Sequence, residues 1–128
     1  MSILNLEKQI EYWKTTALAD FETAELLINN NKLVHGLFFC HLTIEKLLKA
    51  NFVKSTKSLA PKTHDLIYLM KKTNLVFTEK HKRTLITLMG YLIEGRYPDN
   101  FLATPSKEVA NGYLNQTKEL LDWLVQKL

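Results

Sequence analysis

Residues 33–54 constrain this chain more than any other stretch. Placed on a helix, Leu33, Leu37, Cys40, Ile44, Leu47, Leu48 and Phe52 crowd one arc, and Phe38, Phe39 and Leu42 lie outside that arc. A helix that is apolar around most of its circumference has to be surrounded by other elements. The segment is therefore expected at the centre of a helical assembly. Its excess apolar surface is also expected to supply a subunit interface, giving a homodimer.

The flanking segments supply the surrounding helices. Ile10, Trp13, Ala17, Phe21, Ala24 and Ile28 recur at intervals of three and four, one stripe of a first helix. Asn29, Asn30 and Asn31 close it, because asparagine tolerates the left-handed conformation at a helix end. After a polar connection, Thr63 reads as the N-cap of a short helix through Lys72, with Asp65 in its first turn. A fourth helix is expected from Thr78, with Leu85, Leu88, Met89 and Leu92 as its stripe. It should stop near Arg96, since Pro98 pushes Tyr97 out of the helical region. Thr104 and Pro105 open a fifth helix, with Val109, Tyr113, Leu120 and Leu124 as its buried side. Period-two alternation and hairpin turn dipeptides are missing, which argues against strands. The expected fold is all-α: an antiparallel four-helix bundle plus one short helix, a single domain over residues 1–128.

Composition excludes several classes. Three prolines and four glycines in 128 residues are too few for a loop-rich or disordered chain. Cys40 is the lone cysteine, so no internal disulfide forms, and a buried reduced thiol fits a reducing, cytoplasmic setting. Apolar runs are interrupted by charges well short of the ~20 residues that span a bilayer, and the N-terminus carries no signal-peptide pattern. The formal net charge of +4 is compatible with a polyanionic partner.

Polar residues beside apolar stripes are the candidates for chemistry. His41, Glu45 and Lys49 are spaced by four and stack along one flank of the second helix. They make either a rim of intrahelical ion pairs or a functional edge, with Lys46 and Lys49 solvated or facing phosphate. Asp20 lies beside the first helix's stripe and needs a cationic partner. Arg96 continues the fourth helix's stripe beside Tyr97 and Asp99. Its guanidinium suits phosphate, or a bidentate bridge to Glu45 or Asp20. We expect it to anchor a cluster with Glu45. His64, in Lys62-Thr-His-Asp-Leu, has local capping and packing as its default role. The histidines 35, 41, 64 and 81 show no metal-binding spacing, and no glycine-rich phosphate loop or nucleophile motif exists, so no cofactor or metal is expected.

These residues also carry a resemblance. Leu42-Thr-Ile-Glu-Lys-Leu-Leu-Lys-Ala-Asn, Thr63-His-Asp-Leu, Gly95-Arg-Tyr-Pro-Asp, a fifth helix opening at Thr104, and the Trp13, Ala17, Asp20, Ala24 series resemble the HEPN family (higher eukaryotes and prokaryotes nucleotide-binding) over nearly the whole chain. The resemblance implies a five-helix bundle, commonly a homodimer. Members are often encoded beside a minimal nucleotidyltransferase and act in toxin–antitoxin, defence or RNA-processing systems. Many are metal-independent ribonucleases that use an arginine and, a few residues on, a histidine. Here Arg96 is followed by Tyr-Pro-Asp-Asn-Phe-Leu-Ala-Thr-Pro-Ser, and no histidine occurs beyond it. The chain looks like a branch with Arg-Tyr-Pro at this place and an incomplete nuclease motif.

Three functions follow. The first is a small dimeric module that binds a nucleotide, RNA or a nucleotidyltransferase partner through Glu45, Lys49, His64, Arg96, Tyr97 and Asp99. The second is a divergent metal-independent ribonuclease pairing Arg96 with His41 or His64. The third is a purely structural interaction subunit.

Overall fold

The structure is a computed structural model that describes residues 3–92 and 104–128. Among these, five helices follow one another: α1 (Ile3–Asn29), α2 (Leu33–Thr56), α3 (Leu66–Lys72), α4 (Glu79–Met89) and α5 (Lys107–Gln126). The long helices form the bundle and α3 is the short addition, as the periodicity requires.

The apolar circumference of α2 is explained by its neighbours, since α2 touches each of the other four helices. Leu37, Cys40, Ile44, Leu47, Leu48 and Ala50 are fully buried on it. Val34, Phe38, Phe39, Leu42 and Phe52 stay only partly covered. The α1 stripe packs on α2 through Ala17, Phe21, Ala24 and Ile28, all in the core. Asn31 ends α1 with φ 63°, the left-handed turn that an asparagine run allows. The next turn brings α2 back antiparallel, and the helices approach so closely that Gly36 lies against Ile28 and the Ala24 carbonyl.

Polar groups pin the layers. Asp20 of α1 pairs with Lys46 of α2 at 2.6 Å, the cationic partner its position demands. Buried Asn51 donates to the Leu124 carbonyl at 3.2 Å, tying α2 to α5. Trp123 of α5 meets Phe77 edge-on at a centroid distance of 5.1 Å and lies 4.5 Å from the His81 ring, which closes α4 onto α5.

Several helix ends differ from expectation. Asp65, not Thr63, caps α3: its carboxylate accepts from the Ile67 and Tyr68 N–H groups, while Thr63 accepts from Asp65 N–H. Thr78 does cap α4, in a capping box completed by His81. The α4 helix ends at Met89 with Gly90 as its C-cap, earlier than the stop expected near Arg96. Ser106 caps α5 in place of Thr104, and its hydroxyl accepts from Val109 N–H. Val109 is exposed, and Ala110, Leu114, Thr117 and Leu121 join Leu120 and Leu124 on the buried side.

Candidate functional site

Glu45 is the centre of the polar cluster. It sits midway along α2, and its side chain is buried at 5% exposure. A carboxylate withdrawn from water needs donors to stay ionised. Two side chains donate hydrogen bonds to it, and a third stands close. Lys49, one turn on, donates to Oε2 at 3.1 Å. His64, brought in by the loop before α3, donates through Nδ1 to Oε1 at 2.9 Å. His41, one turn back, places Nε2 at 3.3 Å from the same Oε1.

The state of His41 follows from its other edge. Its Nδ1 lies 3.2 Å from the Leu88 carbonyl oxygen of α4. A carbonyl only accepts, so Nδ1 carries a hydrogen. A neutral ring would then turn the Nε2 lone pair toward the Glu45 carboxylate. Nε2 is buried beside that carboxylate, at 3.3 Å from Oε1, with no hydrogen-bond partner among the described residues. His41 is fully buried, so the α2 flank, its ring and the α4 carbonyl form one closed unit.

Electrostatics favour the ionised carboxylate. Burial alone pushes the Glu45 carboxyl up, but His41, His64 and Lys49 outweigh it and hold the group down at about 2. Lys49 is itself 6% exposed, with its ammonium 5.1 Å from the centroid of the Trp13 ring on α1. It is therefore committed between a carboxylate and an aromatic face, not solvated or facing phosphate as its helical position implies. The Trp13 indole N–H finds no acceptor among the described residues.

Among the described members of the cluster the most exposed is His64, whose side chain is 45% exposed. Its ring is oriented from behind by a buried carboxylate. That arrangement fixes a tautomer and an edge, as in acid–base dyads and in histidines that bind phosphate. The structure thus brings Glu45, Lys49 and His64 together. Arg96, Tyr97 and Asp99, and with them the expected Arg96–Glu45 pair, lie outside the described residues. His41, placed by its spacing on the same flank as Glu45 and Lys49, joins them. The member that sequence reasoning left out of the cluster is Trp13, for which nothing local is a signal.

Cys40, by contrast, is buried, and burial pushes its thiol up to about 12. It is an inert core group, not a nucleophile. No group of three or more His, Cys, Asp or Glu suited to a metal ion occurs among the described residues. No described helix is long and apolar enough to cross a membrane.

The crystal structure of TT1696 from Thermus thermophilus superposes with a TM-score of 0.80 at 19% sequence identity, covering 94% of this chain and 98% of that one. At that identity the likeness establishes the fold. No curated protein matches significantly. The profile of the HEPN domain matches residues 10–128, nearly the whole chain and all of the helices that build the Glu45 cluster. The chain belongs to the HEPN-domain family, whose functions are nucleotide- and RNA-related.

Proposed function

We propose that this protein is a small nucleotide- or RNA-binding HEPN module. It acts as a homodimer alongside a minimal nucleotidyltransferase, in a toxin–antitoxin or defence-type system. The observation that carries the binding reading is the Glu45–His64 contact at 2.9 Å, which holds one half-exposed imidazole edge rigid above a buried, ionised carboxylate. In this reading His64 and Arg96 contact a phosphate, with Tyr97 and Asp99 beside them. Glu45 and Lys49 act from below by fixing the ring. The partly covered arc of Val34, Phe38 and Leu42 on α2 supports a second copy as the partner at that face.

A second reading has a specific observation in its favour. A carboxylate behind a histidine is how many enzymes orient a general base. A divergent metal-independent ribonuclease would use His64 in that way, with Arg96 stabilising the charged transition state. Of the two histidines considered for it, His41 is sealed in the core and His64 is the accessible one.

One experiment separates the readings. Single-stranded and structured RNA are incubated with the purified protein in excess chelator, and both binding and chain integrity are followed. The binding reading expects complexes with intact RNA. Cleavage that disappears in both His64→Ala and Arg96→Ala establishes the nuclease instead. Neither binding nor cleavage leaves a structural interaction subunit.

A further inference from the structure

The outer face of α3 is built differently from the other exposed helix faces. Leu66 and Leu69 are fully buried and point the helix's inner side at the bundle. On the opposite side, at helical spacing, stand Tyr68, Lys71 and Lys72. Tyr68 is 44% exposed, and the Lys72 ammonium lies 5.4 Å from its ring centroid. A tyrosine core residue would be turned inward; this one lies open with a cation beside it.

Beyond the C-terminal end of α3 the face runs into a cavity of about 300 Å³. Met70, Leu75 and Phe77 line it together with Thr73, Lys71 and Lys82. Val76, 88% exposed, projects at its mouth. Across Leu75 lies a second cavity of about 250 Å³, with Lys54, Lys127 and Asn74 in its wall. Among the described residues, no carboxylate side chain lines either cavity. Neighbouring acids in the sequence are already committed. Glu79 pairs with Lys82 at 3.5 Å, and the Asp65 carboxylate is turned to the N–H groups of its own helix. Lys54 is occupied by the carbonyls of Lys127 and Leu128 at 2.8 and 3.0 Å, and Lys82 by Glu79, so Lys71 is the cation that the first cavity offers an anion.

We infer that this face is a track for a single RNA strand, with Tyr68 stacking a base and Lys71 and Lys72 taking phosphates at the C-terminal end of α3. The inference rests on the nucleotide- or RNA-binding reading above and gives it a path. Interleaved lysines and an exposed aromatic ring are the combination that holds unpaired strands, since every base offers a face to stack and every linkage a charge. The seven-residue α3 is about 10 Å long. It runs from the loop that carries His64 to the cavity at its other end. The strand would be read by shape and charge, without sequence.

The test is a titration of a fluorescently labelled oligoribonucleotide against the full chain and its variants, with the matching deoxyribonucleotide, ATP and inorganic phosphate as competitors. Tyr68→Ala should weaken binding about 5- to 150-fold, as expected for losing one stacked base, and Tyr68→Phe should bind as the parent does. Lys71→Ala with Lys72→Ala should reduce the slope of log affinity against log salt by about 1.4. These residues are on the surface, and circular dichroism will show the variants folded. Displacement by ATP or phosphate alone as effectively as by the oligomer would reduce the track to a free-nucleotide or anion site and overturn the strand proposal. If the parent binds RNA and all these variants bind equally, the track is wrong while the binding function stands. If the parent binds none of the probes, both fall.

Discussion

His64 Nδ1 and Glu45 Oε1 meet at 2.9 Å across the gap between the loop before α3 and the middle of α2. The contact joins the half-exposed member of the polar cluster to its most buried acid, and the candidate site's rigidity depends on it. Without Glu45, Lys49 and His64 lose their acceptor and His41 its anionic neighbour at once.

Removing that acceptor should therefore be costly. Glu45→Ala leaves buried Lys49 and His41 facing each other without an anion, and breaking a buried pair in this way costs about 3–5 kcal/mol. Glu45→Gln keeps the volume and some hydrogen bonding, so it should lose less. Urea denaturation measures both. A loss below about 1 kcal/mol for Glu45→Ala would mean that the cluster is solvated in solution.

Acid should act in two steps with distinct origins. The His81 ring is held below its ordinary value of 6.5, first by burial against Trp123, with Glu119 opposing and Lys80 adding to the shift. A depressed histidine means that the unfolded chain binds the proton more tightly, so stability falls as pH drops below about 6.5. In addition, the protonated ring can no longer accept the Thr78 N–H in the capping box. The Glu45 carboxyl is held at about 2 against an ordinary 4.5. Its contribution is complete above about 4.5 and is lost as pH falls toward 2, up to about 3 kcal/mol at 1.36 kcal/mol per unit. Thermal melts between pH 7 and pH 2 should show both limbs. His81→Gln should flatten the upper limb, and Glu45→Gln the lower.

Two glycines should respond with opposite signs. A Cβ on Gly36 would lie 2.4 Å from Ile28 Cγ1 and 3.2 Å from the Ala24 carbonyl oxygen. Ile28 is wholly buried and cannot swing away, so Gly36→Ala forces α1 and α2 apart at about 1–3 kcal/mol. Gly112 in α5 has nothing within 4 Å of that position. Gly112→Ala should stabilise the helix by about 0.5–1 kcal/mol. Chemical denaturation of the two variants side by side is a direct check on the helix packing.

How far the sequence reveals these features varies with how local they are. The central place of α2 is legible, because an apolar circumference has one structural solution. So are the Asn31 turn and the need of Asp20 for a cation, each a property of one helix. Lys49 reads wrongly as solvated, since a helical wheel cannot show that Trp13 of α1 covers it. Thr63 and Asp65 are equally good caps by type, and the choice is made by Leu66 and Leu69, whose burial sets where the helix begins. The seal on His41 comes from the Leu88 carbonyl, 47 positions away, and no local pattern encodes it.

The homodimer is tested by mass. Light scattering at micromolar concentration should return about twice the 14.9 kDa of the chain. Phe38→Asp or Leu42→Asp, on the partly covered arc of α2, should return single chains. A clean monomer for the parent protein would remove the second copy from that face.

The central claim is that the Glu45-held imidazole of His64 binds a phosphate of a nucleotide or RNA. The most direct measurement is an anisotropy titration of labelled single-stranded RNA and labelled ATP with the parent protein, His64→Ala and Glu45→Gln. The account predicts saturable binding of at least one probe by the parent protein. His64→Ala should weaken it about tenfold or more, the scale of one charge-assisted hydrogen bond. Glu45→Gln should weaken it less, by loosening the ring. Binding to neither probe, or equal binding by parent and His64→Ala, would contradict it.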